Sequence, residues 1–198
     1  MICHVTDLDS MIWYRRIEGM TVDDMRGRLL RTAEPNDQMR TGTAWHAILE
    51  NPPAEIETIM RGGFTFRVDC DAELTVPQIR EIRASKTYHV DGVDVRLTGG
   101  CDGISGNVVT DHKLTFKPKP ENYFGSYQWR AYLDIYEADI FEYVIYSAKH
   151  DRKTGEVVIH DISTMRMYRY PEMISDIMGG ILDLVRFFKE HVPEKCDK

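Results

Sequence analysis

The stretch from Thr98 to Leu114 constrains this chain more than any other. It runs Thr98-Gly99-Gly100-Cys101-Asp102, passes Gly103 and Ser105-Gly106-Asn107, and continues as Val108-Val109-Thr110-Asp111-His112-Lys113-Leu114. A glycine-bearing turn between two apolar, β-branched segments predicts a hairpin. Side chains alternate across a strand, so Asp111 and Lys113 point the same way. Closing the hairpin carries Asp102 back towards Asp111, and two carboxylates then share a small volume with an ammonium. Neighbouring carboxylates repel, and one tends to hold a proton. A divalent cation removes that conflict, and hard oxygen donors suit magnesium or manganese. Read alone, the stretch fits equally well a surface hairpin with an ordinary Asp-x-Lys pair, because strand charges usually face solvent.

The 198 residues suit a single domain, 1–198, with a sizeable core. No apolar run is long enough to cross a bilayer. The N-terminus lacks the pattern of a signal peptide, so a cytoplasmic location is the expectation. Cys3, Cys70, Cys101 and Cys196 form no CxxC pair, which argues against a zinc knuckle or an iron–sulfur cluster. The net charge of -7 argues against general nucleic-acid affinity but leaves room for a local basic groove.

Residues 1–40 are expected to form an arginine-rich helical segment. Thr21 followed by Asp23 and Asp24 predicts a helix start, and Glu34-Pro35 an end. Arg15, Arg16 and Arg28 are candidates for a phosphate path, since guanidinium forks match phosphate oxygens. Thr41–Glu50 is expected to be helical, burying Trp45, Ile48 and Leu49, with His46 and Glu50 on one face. A lone helical histidine is more often structural than a ligand. Ala54–Met60 is read as a further helical turn, Phe64–Cys70 as an alternating strand, and 71–85 as ambiguous. Val93, Val95 and Leu97 alternate after the Asp91-Gly92 turn signal. Phe116–Asn122 is expected to be a basic, proline-broken loop whose Lys117 and Lys119 could touch a phosphate backbone. Tyr123–Asp139 is predicted as one helix, with Trp129, Leu133, Tyr136 and Ile140 as its stripe and Gln128 and Tyr132 on an adjacent face. Strands are expected over 141–148 and 156–164, the latter with Val157, Ile159 and Asp161 on one side. A final helix spans about 171–191, and the tail from Pro193 should fray. The predicted class is α/β, a central mixed β-sheet flanked by helices.

With these pieces in place, the chain resembles the PD-(D/E)XK nucleases of the RecB-like and phage-exonuclease branch. Gly42-Thr43-Ala44-Trp45-His46 resembles the helical G-x-x-x-H element. Gly99-Gly100-Cys101-Asp102 resembles the strand with the first metal aspartate, Asp111-His112-Lys113 the D-x-K strand, and Gln128-Trp129-Arg130-Ala131-Tyr132 the Q-x-x-x-Y helix. The pieces occur in the family's order over about residues 41–148, and order is what gives individually weak motifs their force.

The resemblance implies a restriction-endonuclease-like αβββαβ core over about 41–165, and a Mg2+- or Mn2+-dependent deoxyribonuclease using one or two ions. Asp102, Asp111, His46 and the His112 backbone carbonyl would be the ligands. Lys113 would orient or activate the attacking water and offset charge at the phosphate. Gln128 and Tyr132 would steady the site edge, and Glu50, one helical turn from His46, would support it. Arg15, Arg16, Arg28, Lys117 and Lys119 would meet DNA, with Trp45, Tyr127 or Trp129 stacking on a base. The implied activity is exonucleolytic, 5′→3′, on duplex ends or single strands, in recombination, repair or phage DNA processing. A recombination partner or helicase would be a separate chain, and a homo-oligomeric ring would suit processivity. The alternatives are a structure- or sequence-specific endonuclease of the same fold, a non-catalytic DNA-binding protein retaining it, and a zinc hydrolase using some of the histidines.

Overall fold

The computed structural model describes residues 1–52, 57–71 and 77–196. Their order is β1 (Ile2–His4), α1 (Val5–Arg16), α2 (Val22–Leu29), α3 (Asp37–Leu49), β2 (Thr58–Arg61), β3 (Phe64–Val68), β4 (Ile79–Val90), β5 (Val93–Ser105), β6 (Val108–Thr115), α4 (Pro120–Phe124), α5 (Gln128–Ile135), β7 (Ile140–His150), β8 (Val157–Tyr168) and α6 (Met173–His191). The strands form one mixed sheet ordered β1-β5-β6-β7-β8-β3-β2, with β4 also paired to β5. β6 lies parallel to β7, while β5 and β6 are antiparallel. A central mixed sheet between helices was the expectation, and it is what the chain forms.

Two cores cover the sheet. The larger takes Leu8 and Met11 of α1, Met25 and Leu29 of α2, Leu133 of α5 and the Ile177, Ile181, Leu184, Val185, Phe188 stripe of α6. The smaller packs Trp45, Ile48 and Leu49 of α3 on Phe66, Val144, Tyr146 and Ile159. β7 is buried from Phe141 to Ala148 because helices cover both its faces, which is why it reads as a continuous apolar run. Removing a fully buried ring such as Trp45 would cost about 3–5 kcal/mol.

Several local expectations are corrected. The single helix over Tyr123–Asp139 is two: α4 starts at Pro120, inside the expected loop, and α5 starts at Gln128. Gly125-Ser126-Tyr127 separates them, because Asp9 of α1 takes up the Tyr127 N–H at 2.6 Å and the Ser126 hydroxyl at 2.6 Å. The apolar stripe therefore ends on α5, and Ile140 belongs to β7. Thr58–Met60 is strand, pairing with β3, while residues 54–56 of that expected helical turn lie outside the described residues. α2 stops at Leu29 rather than at the proline, with Arg31 in left-handed backbone (φ 61°) and paired to Asp7. Asp161 does not share a face with Val157 and Ile159. A register shift opposite Ser147/Ala148 pairs Ala148 with Ile159 and Ser147 with Asp161, skipping His160. Pro193–Lys195 is a 3-10 turn, not a frayed tail. The short β1 had no counterpart in the sequence reading, and α1 falls within the segment 1–40 expected to be helical.

Candidate active site at the fork of two strands

β5 and β6 pair only over Gly103–Ser105 and Val108–Thr110, with Gly106 in left-handed backbone (φ 57°) at the turn. Beyond that the strands separate, opposite Asp102 and Asp111. The opened ladder leaves the His112 N–H without a strand partner on that side, and the Asp102 carboxylate accepts it at 2.6 Å. The same carboxylate lies 3.4 Å from Nδ1 of His46, which α3 delivers from the smaller-core side.

Asp111 faces the other way, towards α5. Its Oδ1 accepts from Gln128 Nε2 at 2.9 Å. Its Oδ2 is 2.7 Å from Lys113 Nζ, two residues along the strand on the same face. That ammonium is close but out of line, so Oδ2 is buried without a well-formed hydrogen bond. The two aspartates, Lys113 and His46 thus converge at the fork.

The electrostatics follow from these partners. Burial pushes Asp111 up to about 6, helped by the Asp102 charge, and the nearby Lys113 only partly opposes it. Asp102 is buried too, but the His46 ring and then the His112 N–H hold it below the usual carboxylate range. Burial pulls His46 and Lys113 down, and the facing carboxylates override it, leaving both raised. The His112 ring, 4% exposed and 3.1 Å from the Tyr146 hydroxyl, is lowered to about 4 by burial and stays neutral.

The residues fit a divalent cation in kind. Asp111 Oδ2 is a buried carboxylate oxygen without a well-formed hydrogen bond, and Asp102 with the His46 imidazole lies across the fork from it. Among the described residues no group of three His, Cys, Asp or Glu side chains already sits at coordinating distances. His112, His150 and His160 are among the described residues and form no such group.

Other candidates sort clearly. Arg16 and Arg28 line a cleft of about 310 Å³ with Lys113, Gln128, Asn122 and Tyr123. Arg15 does not join them: it pairs with Asp183 of α6 at 2.9 Å, in a neighbouring cleft with Tyr127 and Arg130. Trp45 and Trp129 are core residues, 0% and 3% exposed, so neither can stack on a base. Tyr127 packs its ring on Gly180 instead, where a Cβ would lie 2.8 Å from the ring. Tyr132 donates to the Gly100 carbonyl at 2.7 Å and so fixes β5 ahead of Asp102 rather than lining the site. Glu50 is exposed at the end of α3, in a small cleft with His46 and Asp102. Lys117 and Lys119 are exposed at the end of β6.

Sequence reasoning missed Asp9 and Glu81. Asp9 holds Ser126, whose hydroxyl accepts the Gln128 N–H at 3.0 Å, so α1 sets the start of the helix that carries Gln128. Nothing near Asp9 in the sequence signals this, for its partners are 117 and 118 positions away. Glu81 stands opposite Asp102, between the Arg80–Gly103 and Ile82–Cys101 pairs, in left-handed backbone (φ 53°). Its carboxyl is raised by burial and by the Asp102 and Glu50 charges. It lies in the stretch with no readable periodicity, because its own conformation interrupts the strand.

No family model matches the chain, and no curated protein matches it. Solved structures are. The alkaline exonuclease LHK-Exo from Laribacter hongkongensis superimposes with a TM-score of 0.51 at 15% identity, over 98% of this chain and 91% of that one. LHK-Exo in complex with dAMP gives 0.51 at 12%, over 96% and 89%. A phage related exonuclease from Haemophilus somnus 129PT gives 0.52 at 11%, over 98% and 96%. Likeness at such identity speaks for a shared fold.

Proposed function

We propose that the chain is a metal-dependent DNA exonuclease that hydrolyses phosphodiester bonds in the 5′→3′ direction. One observation carries this reading: where β5 and β6 part, His46 pairs with Asp102 and Lys113 with Asp111, and Lys113 lines a cleft whose walls include Arg16 and Arg28. The exonuclease fold of the solved relatives supports it, as does the dAMP complex of one of them.

A magnesium or manganese ion, held by Asp102, Asp111, His46 and the His112 carbonyl, would supply Lewis-acid polarisation of the phosphate and a more acidic bound water. The protein's own groups do the rest. Lys113, cationic at neutral pH, holds the attacking water and sets positive charge beside the phosphoryl oxygens, where negative charge grows. Gln128 fixes the Asp111 carboxylate through Oδ1 and leaves Oδ2 free to act. Tyr132 anchors the backbone just ahead of Asp102. Arg16 and Arg28 bind a terminal phosphate in the cleft and register the strand end against Lys113. We read residues 1–198 as one nuclease domain, serving recombination, repair or phage DNA processing.

The test is magnesium-dependent digestion of one DNA in linear, nicked and covalently closed circular form, end-labelled where it has ends. Release of mononucleotides from the 5′ ends, with the closed circle intact, is the expected result. Cleavage of the closed circle overturns the exonuclease reading in favour of an endonuclease of this fold.

A further inference from the structure

We infer that double-stranded DNA reaches this site over the C-terminal ends of β6 and β7, its phosphates held by Lys117, Lys119, Lys149, Arg152 and Lys153. The inference rests on the nuclease reading above and adds where the duplex lies.

The chain is acidic overall, with a net charge of -7, and many of its cations are neutralised locally. Arg15 pairs with Asp183, Arg31 with Asp7, Lys86 with Asp134 and Arg166 with Glu142. The cations at the ends of β6 and β7 differ. All are exposed, and none has a carboxylate within 4.0 Å among the described residues. The acids close by in sequence are already engaged. Asp151 accepts the Lys153 N–H at 2.8 Å within the turn, and Glu156 pairs with Arg67 at 3.3 Å. Glu121, in the first turn of α4, is the exception.

The topology gathers these cations. Thr115 and Ser147 are the last paired positions of the parallel β6 and β7, and Lys117 and Lys149 each follow two residues beyond them. The Phe116 ring stacks on His150, with centroids 4.6 Å apart and planes 8° from parallel, which ties the end of β6 to that of β7. The turn beyond carries Arg152 and Lys153 and is closed by Gly155 N–H to the Asp151 carbonyl at 2.8 Å. The cations therefore ride on a braced platform.

Its position fits the chemistry. Lys113 lies on β6 four residues before Lys117, so the two are at most about 13 Å apart along the chain at about 3.3 Å per residue. Asn122 and Tyr123, just after Lys119, already form a wall of the Lys113 cleft. The site thus has cations lining a cleft on one side, Arg16 and Arg28, and cations on an open surface on the other. A strand end belongs in the first and the incoming duplex on the second. A single strand would be held by unoccupied aromatic faces, and the Phe116 face is covered by His150.

The experiment measures binding of a short labelled DNA duplex in EDTA across a salt series, for the wild type, R152E/K153E and the control R96E, whose arginine lies on β5. Each phosphate contact contributes about 0.9 to the slope of log affinity against log salt. R152E/K153E is expected to lower that slope by about 1.8 and to weaken duplex binding at least about tenfold near 0.1 M salt, with R96E unchanged. A wild-type slope in R152E/K153E, an equal loss in R96E, or no duplex binding by the wild type overturns the inference. Magnesium-dependent hydrolysis of a nitrophenyl phosphodiester by the wild type is measured alongside. Its absence, with the duplex slope still sensitive to R152E/K153E, removes the nuclease reading and keeps the duplex surface.

Discussion

The two faces of the sheet meet at the fork of β5 and β6, yet they treat a buried aspartate in opposite ways. On the α3 face, Asp102 receives a backbone N–H and an imidazole, and it stays ionised below the usual carboxylate range. On the α1/α5 face, Asp111 receives a neutral amide and an ammonium that is out of line, and burial pushes it up to about 6. Both carboxylates are largely withdrawn from water. The direction of each shift is decided by whether donors point at the carboxylate, not by burial alone. The α3 face holds its charge satisfied, while the α1/α5 face keeps an anionic oxygen without a full partner. A cation is the natural complement of the second arrangement, and the first supplies it with a fixed neighbour.

The sharpest way to break this contrast is to remove the underdetermined side. Lys113→Ala or Asp111→Ala is expected to lower magnesium-dependent DNA hydrolysis by at least about 10³-fold while the thermal transition persists, because the charge at the phosphate loses its nearest counterpart. Measured turnover near the wild-type rate in either variant would remove these groups from the chemistry.

The next test uses pH and reads stability without metal. The His112 pKa falls from 6.5 to about 4 on folding, since its buried ring resists protonation. A depressed pKa contributes stability that is complete above 6.5 and is lost as pH falls towards 4. The shift corresponds to about 3 kcal/mol at about 1.4 kcal/mol per pKa unit. His46 is shifted upwards and works in the opposite sense, so the wild-type curve alone mixes the two. Urea melts in EDTA of the wild type and His112→Gln should differ by a gap that shrinks by roughly this amount from neutral pH to pH 4. A gap that is constant with pH would mean that the ring protonates freely in the folded chain.

The two faces also differ in how far the sequence foretold them. The α3 face was legible: Trp45, Ile48 and Leu49 at helical spacing, His46 on the remaining side, and Asp102 at the end of a glycine-marked strand. Asp111, Lys113 and Gln128 were legible too, because alternation and helical offset are local properties. The α1 contribution was not. Asp9 acts through space on a turn more than a hundred positions later, and that turn broke a helix whose periodicity looked continuous. Arg15 and Arg16 illustrate the same limit: adjacent in sequence and alike in chemistry, they share one cleft, but only Arg16 also reaches the cleft of Lys113 while Arg15 turns to Asp183, because successive helix residues point about 100° apart. The tryptophans were misassigned for the converse reason, since helical spacing marks a core face before it marks a stacking surface.

Returning to the satisfied face, His46→Ala is expected to weaken magnesium or manganese binding at least about tenfold, as loss of a ligand or of its support does. Calorimetric titration of the metal reads this directly. An unchanged titration would confine His46 to pairing with Asp102 and leave the cation to the carboxylates.

The smallest effect probes how α1 reaches the site. If Asp9 matters only by seating the Ser126–Gln128 turn, its loss and the loss of Gln128 remove the same support from Asp111. Asp9→Ala and Gln128→Ala should then each lower turnover by about tenfold. The double variant should be little worse than either, since residues in one hydrogen-bond chain couple rather than add. Asp9→Asn, which keeps one acceptor for the Tyr127 N–H, should recover part of the loss. Fully additive losses would mean that Asp9 acts on Lys113 by its charge across the cleft, independently of Gln128, and the pH dependence of turnover in Asp9→Asn would shift accordingly.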